Sequence, residues 1–455
     1  MVVDLPRSAP EAQGVDSELL LDLVTKLDEN EQELHSLMIL RHGHVLAEGW
    51  WAPYSAERRH ELYSLSKSFT SMGVGYLVAD GKVSLDDKIV DYFPEHLPEQ
   101  TSDNLKAMRV RDLLTMTTGH VGEPVMLRGR EDSWLKAFFD HPVDKAPGTH
   151  FLYNTAATYV CSALVQHITG STLLDFLTPR LFDKIGATEA DWPTSPEGVT
   201  LGGFGLSLTT ESIAKFGSLL IANDGSVLPQ DWVTQATSKQ VPNDNQDNPD
   251  WKQGYGFQFW MARRGYRGDG AFGQYCIVLP DLDIVIAATS ATFDMQAVLN
   301  AIWEALPDQL PNEPLPPNEA TTGKLRDKLT RLELTPPTGD GQVTQAGTYE
   351  FDETLNGLAT LTIGDTVGAE VHFKGDRFAV TATPDKWTGD EVVASYAWRD
   401  GALVLTVRFL ETPYRATYTC RIDGDGDSIH VDYDLNVVIG QLQEHTEQEG
   451  RRVKP

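Results

Sequence analysis

Two hydrophobic periods run along this 455-residue chain, and the place where one gives way to the other divides it. Leu20, Leu23, Val24 and Leu27 fall on one face of a helix predicted over 18–27, with Asp16 and Ser17 as capping side chains ahead of it. Residues 37–41 and 45–50 read as strands joined by His42-Gly43-His44, a segment with the length and glycine of a hairpin turn. The spacing then predicts helices over 64–78, stopped at Asp80-Gly81, over 110–116, and over 156–168, stopped at Thr169-Gly170. Between 254 and 289 the apolar runs shorten to 255–260, 275–279 and 284–288 and are broken by Gly, Pro and Asp, the pattern of sheet strands. A helix over 293–306 closes this part.

Pro307, Pro311, Pro314, Pro316 and Pro317, a short charged helical segment and Pro336-Pro337 follow. Proline at that density reads as a linker. Beyond it, short runs such as 359–363 and 402–407 alternate apolar and polar residues between Gly and Asp turns, which predicts a small all-β barrel or sandwich. The expected class is α+β: an antiparallel sheet flanked by helices over 1–306, a linker with a short helix over 307–346, and an all-β domain over 347–455.

Charge narrows the partners. The 66 acidic against 37 basic residues give a net charge of -29, which repels phosphate backbones and anionic lipid, so neither nucleic acid nor a membrane surface is an expected partner. Cys161, Cys276 and Cys420 lack the C-x-x-C spacing of zinc or redox sites and read as reduced core thiols. Residues 1–7 lack the basic-then-apolar pattern of a secretory signal and no apolar run reaches membrane-spanning length, so cytoplasmic residence is expected.

There is no Gly-x-Ser-x-Gly elbow, no Walker loop and no His-Glu-x-x-His. What remains is Ser-x-x-Lys, which on a helix places both side chains on one face, so that a neutral lysine amine can accept the serine proton. The motif occurs three times, as Ser64/Lys67, Ser133/Lys136 and Ser212/Lys215. Glu131 and Asp132 would keep Lys136 charged, and Thr209-Thr210-Glu211 looks like the capped first turn of a helix around Ser212. Ser64 differs: Leu65 and Phe69 flank it and small or apolar residues follow, which predicts a helix buried nearly all round, with Lys67 in a low dielectric and Ser64 at the positive helix end. These residues alone leave Ser64 divided between a nucleophile and a helix cap.

Residues 35–43 followed by Leu62-Tyr63-Ser64-Leu65-Ser66-Lys67-Ser68-Phe69-Thr70 resemble the class C β-lactamase-like serine hydrolases, a superfamily that includes DD-peptidases, family VIII carboxylesterases and nylon-oligomer hydrolases. Similar segments follow in order: 110–119, Phe151-Leu152-Tyr153-Asn154-Thr155, Gly202-Gly203-Phe204-Gly205-Leu206-Ser207, and Gly268-Asp269-Gly270-Ala271-Phe272-Gly273-Gln274, so that the likeness spans about residues 10–305. The resemblance implies Ser64 as nucleophile, Lys67 as its proton acceptor or electrostatic partner, and Tyr153 as acid/base near the leaving group. It also implies an oxyanion hole from the N–H groups of Ser64 and Ala271, and Thr155, Gly268 and Gly270 beside the substrate; on this reading a side chain at Gly270 would crowd the acyl group. No cofactor and no metal is implied.

Two departures matter. Thr155 stands where β-lactamases carry Asn, and Gly268 where a Lys or His would meet a β-lactam carboxylate, although Arg267 is near enough to compensate if it points inward. A site without that cation suits a small neutral ester, or a small amide, better. The alternatives that share Ser64 are a β-lactamase or D-peptidase-type amide hydrolase and a protein that is acylated without turning over. Oligomeric state is not legible. His42 and His44 flank a turn and lack a third metal ligand, and residues 423–427 read as a hairpin turn rather than a calcium loop. The tryptophans at 50, 51, 134, 192, 251 and 260 are candidates to line a cleft, and as single residues read as core.

Overall fold

Leu34–Arg41 and Ile284–Ser290 are buried at every position, which a strand can be only when both faces of its sheet are covered. They pair side by side in a six-stranded antiparallel sheet, in the order His44–Trp50, Leu34–Arg41, Ile284–Ser290, Gln274–Leu279, Tyr266–Gly270, Trp260–Met261. The helix Thr210–Ala222 packs on the three central strands. Ser17–Glu29 turns Leu20, Leu23, Val24 and Leu27 inward and packs with Met295–Ala305 and Glu319–Leu329. The helix Ser66–Ala79, buried at every residue from Ser66 to Gly75, lies against Thr155–Thr169 and Gln230–Ala236.

This computed structural model describes residues 5–29, 32–123, 133–339, 345–352, 356–439 and 444–453. The residues 1–4 used to judge a leader, and Glu131 and Asp132 beside Ser133, lie outside them. Among the described residues no single helix is long and apolar enough to cross a membrane.

The helix predicted from Ser64 begins at Ser66, preceded by a 3-10 turn, Tyr63–Leu65. The run 255–260 is not one strand, because Gln258 adopts φ 67° and only Trp260–Met261 pairs in the sheet. The proline-rich stretch is packed as far as Thr330 on the first of two compact units. Proline lacks a donor but keeps its carbonyl acceptor, and Arg41 Nη1 donates to Pro311 O at 2.9 Å as well as to Gln13 O at 2.7 Å. Leu315 N reaches Glu11 O at 2.8 Å, and Leu325 is buried.

The second unit comprises residues 331–455 with 50–58 and 291–293. It is a closed barrel. Its strands run Asp376–Pro384, Val367–Phe373, Gly357–Ile363, Gly347–Phe351, Glu444–Arg452, Ser428–Leu435, Arg415–Ile422, Ala402–Phe409, Val392–Arg399, with the two-residue Thr388–Gly389 beside the last. Parallel pairing of Thr383 with Ser395 and Pro384 with Tyr396 closes it, which removes the open edge a sandwich would leave. Leu361, Val371, Leu405, Tyr418 and Tyr433 are among its fully buried side chains. All three cysteines are buried free thiols.

Candidate active site

Ser64 sits in the 3-10 turn that feeds the buried helix. The turn is held on both sides: Leu62 N donates to Leu206 O at 2.8 Å, while the Ser66 hydroxyl donates to Tyr63 O at 2.6 Å and accepts from Leu206 N at 3.1 Å. Tyr63 has φ 48°, a left-handed conformation that costs a non-glycine residue about 1–2 kcal/mol and persists only where its surroundings hold it. Its ring meets Phe272 edge-on at 5.3 Å.

One turn on, Lys67 is 1% exposed. Its Nζ lies 2.9 Å from Ser64 Oγ, 2.7 Å from Gly203 O, 3.3 Å from Thr155 Oγ1, and 4.8 Å above the Tyr153 ring. Burial drives the ammonium down to about 7, against the opposing pull of the Glu123 and Asp269 carboxylates. Tyr153 is pushed the other way, well above the ordinary tyrosine value, first by burial and then by Asp269, although a hydrogen bond with the Ser64 side chain works against this. At neutral pH the phenol keeps its proton and the lysine can lose one.

Thr155 opens the helix Thr155–Thr169, whose first turn is capped by Asn154 through Ala157 N at 3.1 Å, and its own N–H donates to Glu123 Oε1 at 2.6 Å. Asn154 is therefore a cap. Sequence reasoning also missed Glu123, since nothing in its local pattern marks it.

The strand Tyr266–Gly270 runs so close to the Ser64 turn that a Cβ on Gly270 would lie 2.0 Å from Leu62 O, and one on Gly268 would lie 2.5 Å from Leu65 Cδ1 and Ser68 Oγ. The need for glycine at 270 is therefore close backbone approach, not room for an acyl group. The same space leaves no place for a long side chain at 268. Arg267 does not supply the missing cation to open space: it is fully buried, its Nε on Asp269 Oδ2 at 2.8 Å, its Nη1 on Asp250 O at 2.9 Å, its guanidinium 4.3 Å from the Trp251 ring.

Ala271 follows in a turn tied down by Gln274, whose Nε2 donates to Ala271 O at 3.0 Å and Ser290 O at 2.8 Å, and by Ser290 Oγ, which donates to Phe272 O at 2.7 Å. Trp260, read from sequence as core, stacks on Tyr153 at 5.1 Å. Gln258 ties several neighbours together: Oε1 accepts from Thr158 Oγ1 at 2.7 Å, Nε2 donates to Leu114 O at 2.9 Å and Leu113 O at 3.2 Å, and its carbonyl accepts from Ser68 Oγ at 2.9 Å.

The rival serines do not face their lysines. Ser133 caps the helix Trp134–Asp140 and Lys136 pairs with Asp140, while Ser212 Oγ donates to Glu189 and Lys215 pairs with Glu211. His42 Nδ1 meets Gln13 Oε1, and His44 Nδ1 meets His42 O. On the barrel, ligand-capable atoms of His430, Asp432 and Glu447 lie within 4.8 Å of one another, but His430 is bonded to Glu449 and Asp432 to Arg421.

The sequence model of the beta-lactamase family matches residues 27–308, more than half of the chain. A 6-aminohexanoate-dimer hydrolase of Paenarthrobacter ureafaciens is 27% identical over 301 residues, 59% of this chain and 76% of that protein. A lovastatin esterase of Penicillium rubens is 24% identical over 224 residues, 37% of this chain and 56% of that one. The octameric penicillin-binding protein homologue from Pyrococcus abyssi shares the fold with a TM-score of 0.52 at 14% identity, over 95% of this chain and 99% of its own.

Proposed function

Because the chain belongs to the beta-lactamase family, we propose that it is a serine hydrolase that forms an acyl-enzyme on Ser64 and acts on small neutral esters. The observation that carries this reading is a buried lysine, lowered to about 7, whose Nζ is 2.9 Å from Ser64 Oγ. Lys67 takes the Ser64 proton as Oγ bonds to the substrate carbonyl carbon, and the carbonyl oxygen gains its negative charge between the N–H groups of Ser64 and Ala271. Each such donor is worth about 3 kcal/mol in the transition state.

Tyr153, held as a phenol, gives its proton to the leaving oxygen and is reprotonated from the Lys67 ammonium. In the second half, water loses a proton to Lys67 and bonds to the acyl carbon, and Ser64 Oγ leaves and takes that proton back. Thr155 and Gly203 hold the Lys67 amine while this happens; Gly268 and Gly270 let the strand lie close against the turn that carries Ser64. The relative named a lovastatin esterase supports the ester reading, and the one named a 6-aminohexanoate-dimer hydrolase supports small amides as the second substrate class. Efficient β-lactam hydrolysis is disfavoured, since Gly268 carries no cation and Arg267 is engaged elsewhere.

The test is hydrolysis of a short-chain p-nitrophenyl ester by the wild type and Ser64→Ala, with mass spectrometry after a fluorophosphonate probe. Turnover and labelling are expected to vanish together in the variant. Unchanged turnover in folded Ser64→Ala would overturn the assignment, and a burst without steady turnover in the wild type would replace the hydrolase by an acyl-binding protein.

A further inference from the structure

Asp269 lies between two glycines whose missing side chains both face the Ser64 turn, at 2.5 Å from Leu65 on one side and 2.0 Å from Leu62 O on the other. Successive residues of a strand point to opposite faces, so the Asp269 carboxylate leaves that contact and turns to the other side. There it receives Arg267 Nε at 2.8 Å and a hydrogen bond from the Trp260 side chain, and Trp260 stacks on Tyr153 at 5.1 Å. One side chain separates this carboxylate from Tyr153. Its charge is felt by Lys67 as well, since it raises both groups.

The Arg267–Asp269 pair is buried on both sides, and such a pair contributes little net stability once its desolvation is counted. Its consequence is the field it leaves. Arg267 is the guanidinium next to the motif strand's glycines, and Asp269, Asp250 O and the Trp251 ring engage it. The charged side chains whose fields act on Tyr153 include one cation, Arg267, and two anions, Asp269 and Glu123.

We propose that Asp269 is a specificity-determining residue: by neutralising Arg267 beside Tyr153 it makes the site refuse acyl groups that carry a carboxylate and accept neutral ones. The inference rests on the reading of Ser64 as the nucleophile. A substrate carboxylate entering beside Tyr153 meets a net negative site and finds no open cation. Removing the Asp269 charge reverses this, because the buried Arg267 guanidinium is then left without its counter-charge and its field draws an anion toward the site.

The experiment compares a neutral p-nitrophenyl ester with one of equal length ending in a carboxylate, and in parallel the labelling of Ser64 by a neutral and a carboxylate-tipped fluorophosphonate. The wild type is expected to favour the neutral member of each pair by roughly tenfold or more. In Asp269→Asn that ratio should contract by roughly tenfold, through KM for the charged ester more than through kcat. Arg267→Met/Asp269→Leu, which removes both charges, should fall between the two.

Equal handling of both members by the wild type overturns the inference without needing any variant, and so does an unchanged ratio in folded Asp269→Asn. Failure of the underlying reading looks different: neither probe labels Ser64, and hydrolysis persists in Ser64→Ala.

Discussion

Replacing Lys67 by Met should cut activity sharply and at the same time make the protein more stable at neutral pH. The amine falls from 10.5 to about 7 because it is buried, and at about 1.4 kcal/mol per tenfold change in equilibrium that displacement corresponds to about 5 kcal/mol. The sign follows from proton uptake. With a folded value below the unfolded one, unfolding binds a proton between pH 7 and 10.5, so the lysine penalty is at its full size below pH 7 and fades as pH rises to 10.5. At pH 7 the penalty is about 4 kcal/mol.

Methionine removes that penalty and fills a similar length, but it forfeits the bonds to Gly203 O, Ser64 Oγ and Thr155 Oγ1, at about 1 kcal/mol each. A net gain of about 1 kcal/mol at pH 7 remains, shrinking and then changing sign toward pH 10. Ester hydrolysis should fall by about 10²–10⁴-fold, the usual worth of a general base. Urea denaturation of both proteins at pH 7 and pH 10, with hydrolysis measured on the same preparations, checks it. A Met variant less stable than the wild type by the same margin at both pH values would refute the argument, because Lys67 would then be charged in the folded protein.

In the wild type, hydrolysis should rise as pH passes through about 7, where Lys67 loses its proton, and Tyr153, held well above its ordinary value, should add no descending limb near neutrality; a pH–rate profile checks both. Tyr153→Phe should lower kcat by about 10²–10⁴-fold while thermal unfolding moves little, which separates an acid from a core aromatic. Gly270→Ala places a Cβ 2.0 Å from Leu62 O, so it should cost about 1–3 kcal/mol in denaturation and lower kcat, since the turn that gives way carries Ser64.

Local structure was legible wherever neighbours in sequence decide it. The 3.6-residue recurrence of Leu20, Leu23, Val24 and Leu27, the stop signal of the Thr155–Thr169 helix at Gly170, and the alternation along 359–363 report interactions spanning a few residues, which periodicity encodes. The spacing of Ser64 and Lys67 belongs here too, because one helical turn is local geometry. Resemblance of ordered segments then indicated the family.

What lies far apart in sequence was decided only by packing. Nothing local says that Lys67 meets Thr155 and Gly203, that the core residue Trp260 lies on Tyr153, or that Arg267 is engaged by Asp269 and Asp250 O instead of facing the substrate. Gly270 is required because two backbones approach closely, and the proline-rich stretch is held because Arg41, far earlier in the chain, donates to the Pro311 carbonyl. Burial that drives Lys67 and Tyr153 in opposite directions is likewise a property of the assembled core: desolvation is the sum over every group that excludes water, and no single stretch of sequence contains that sum.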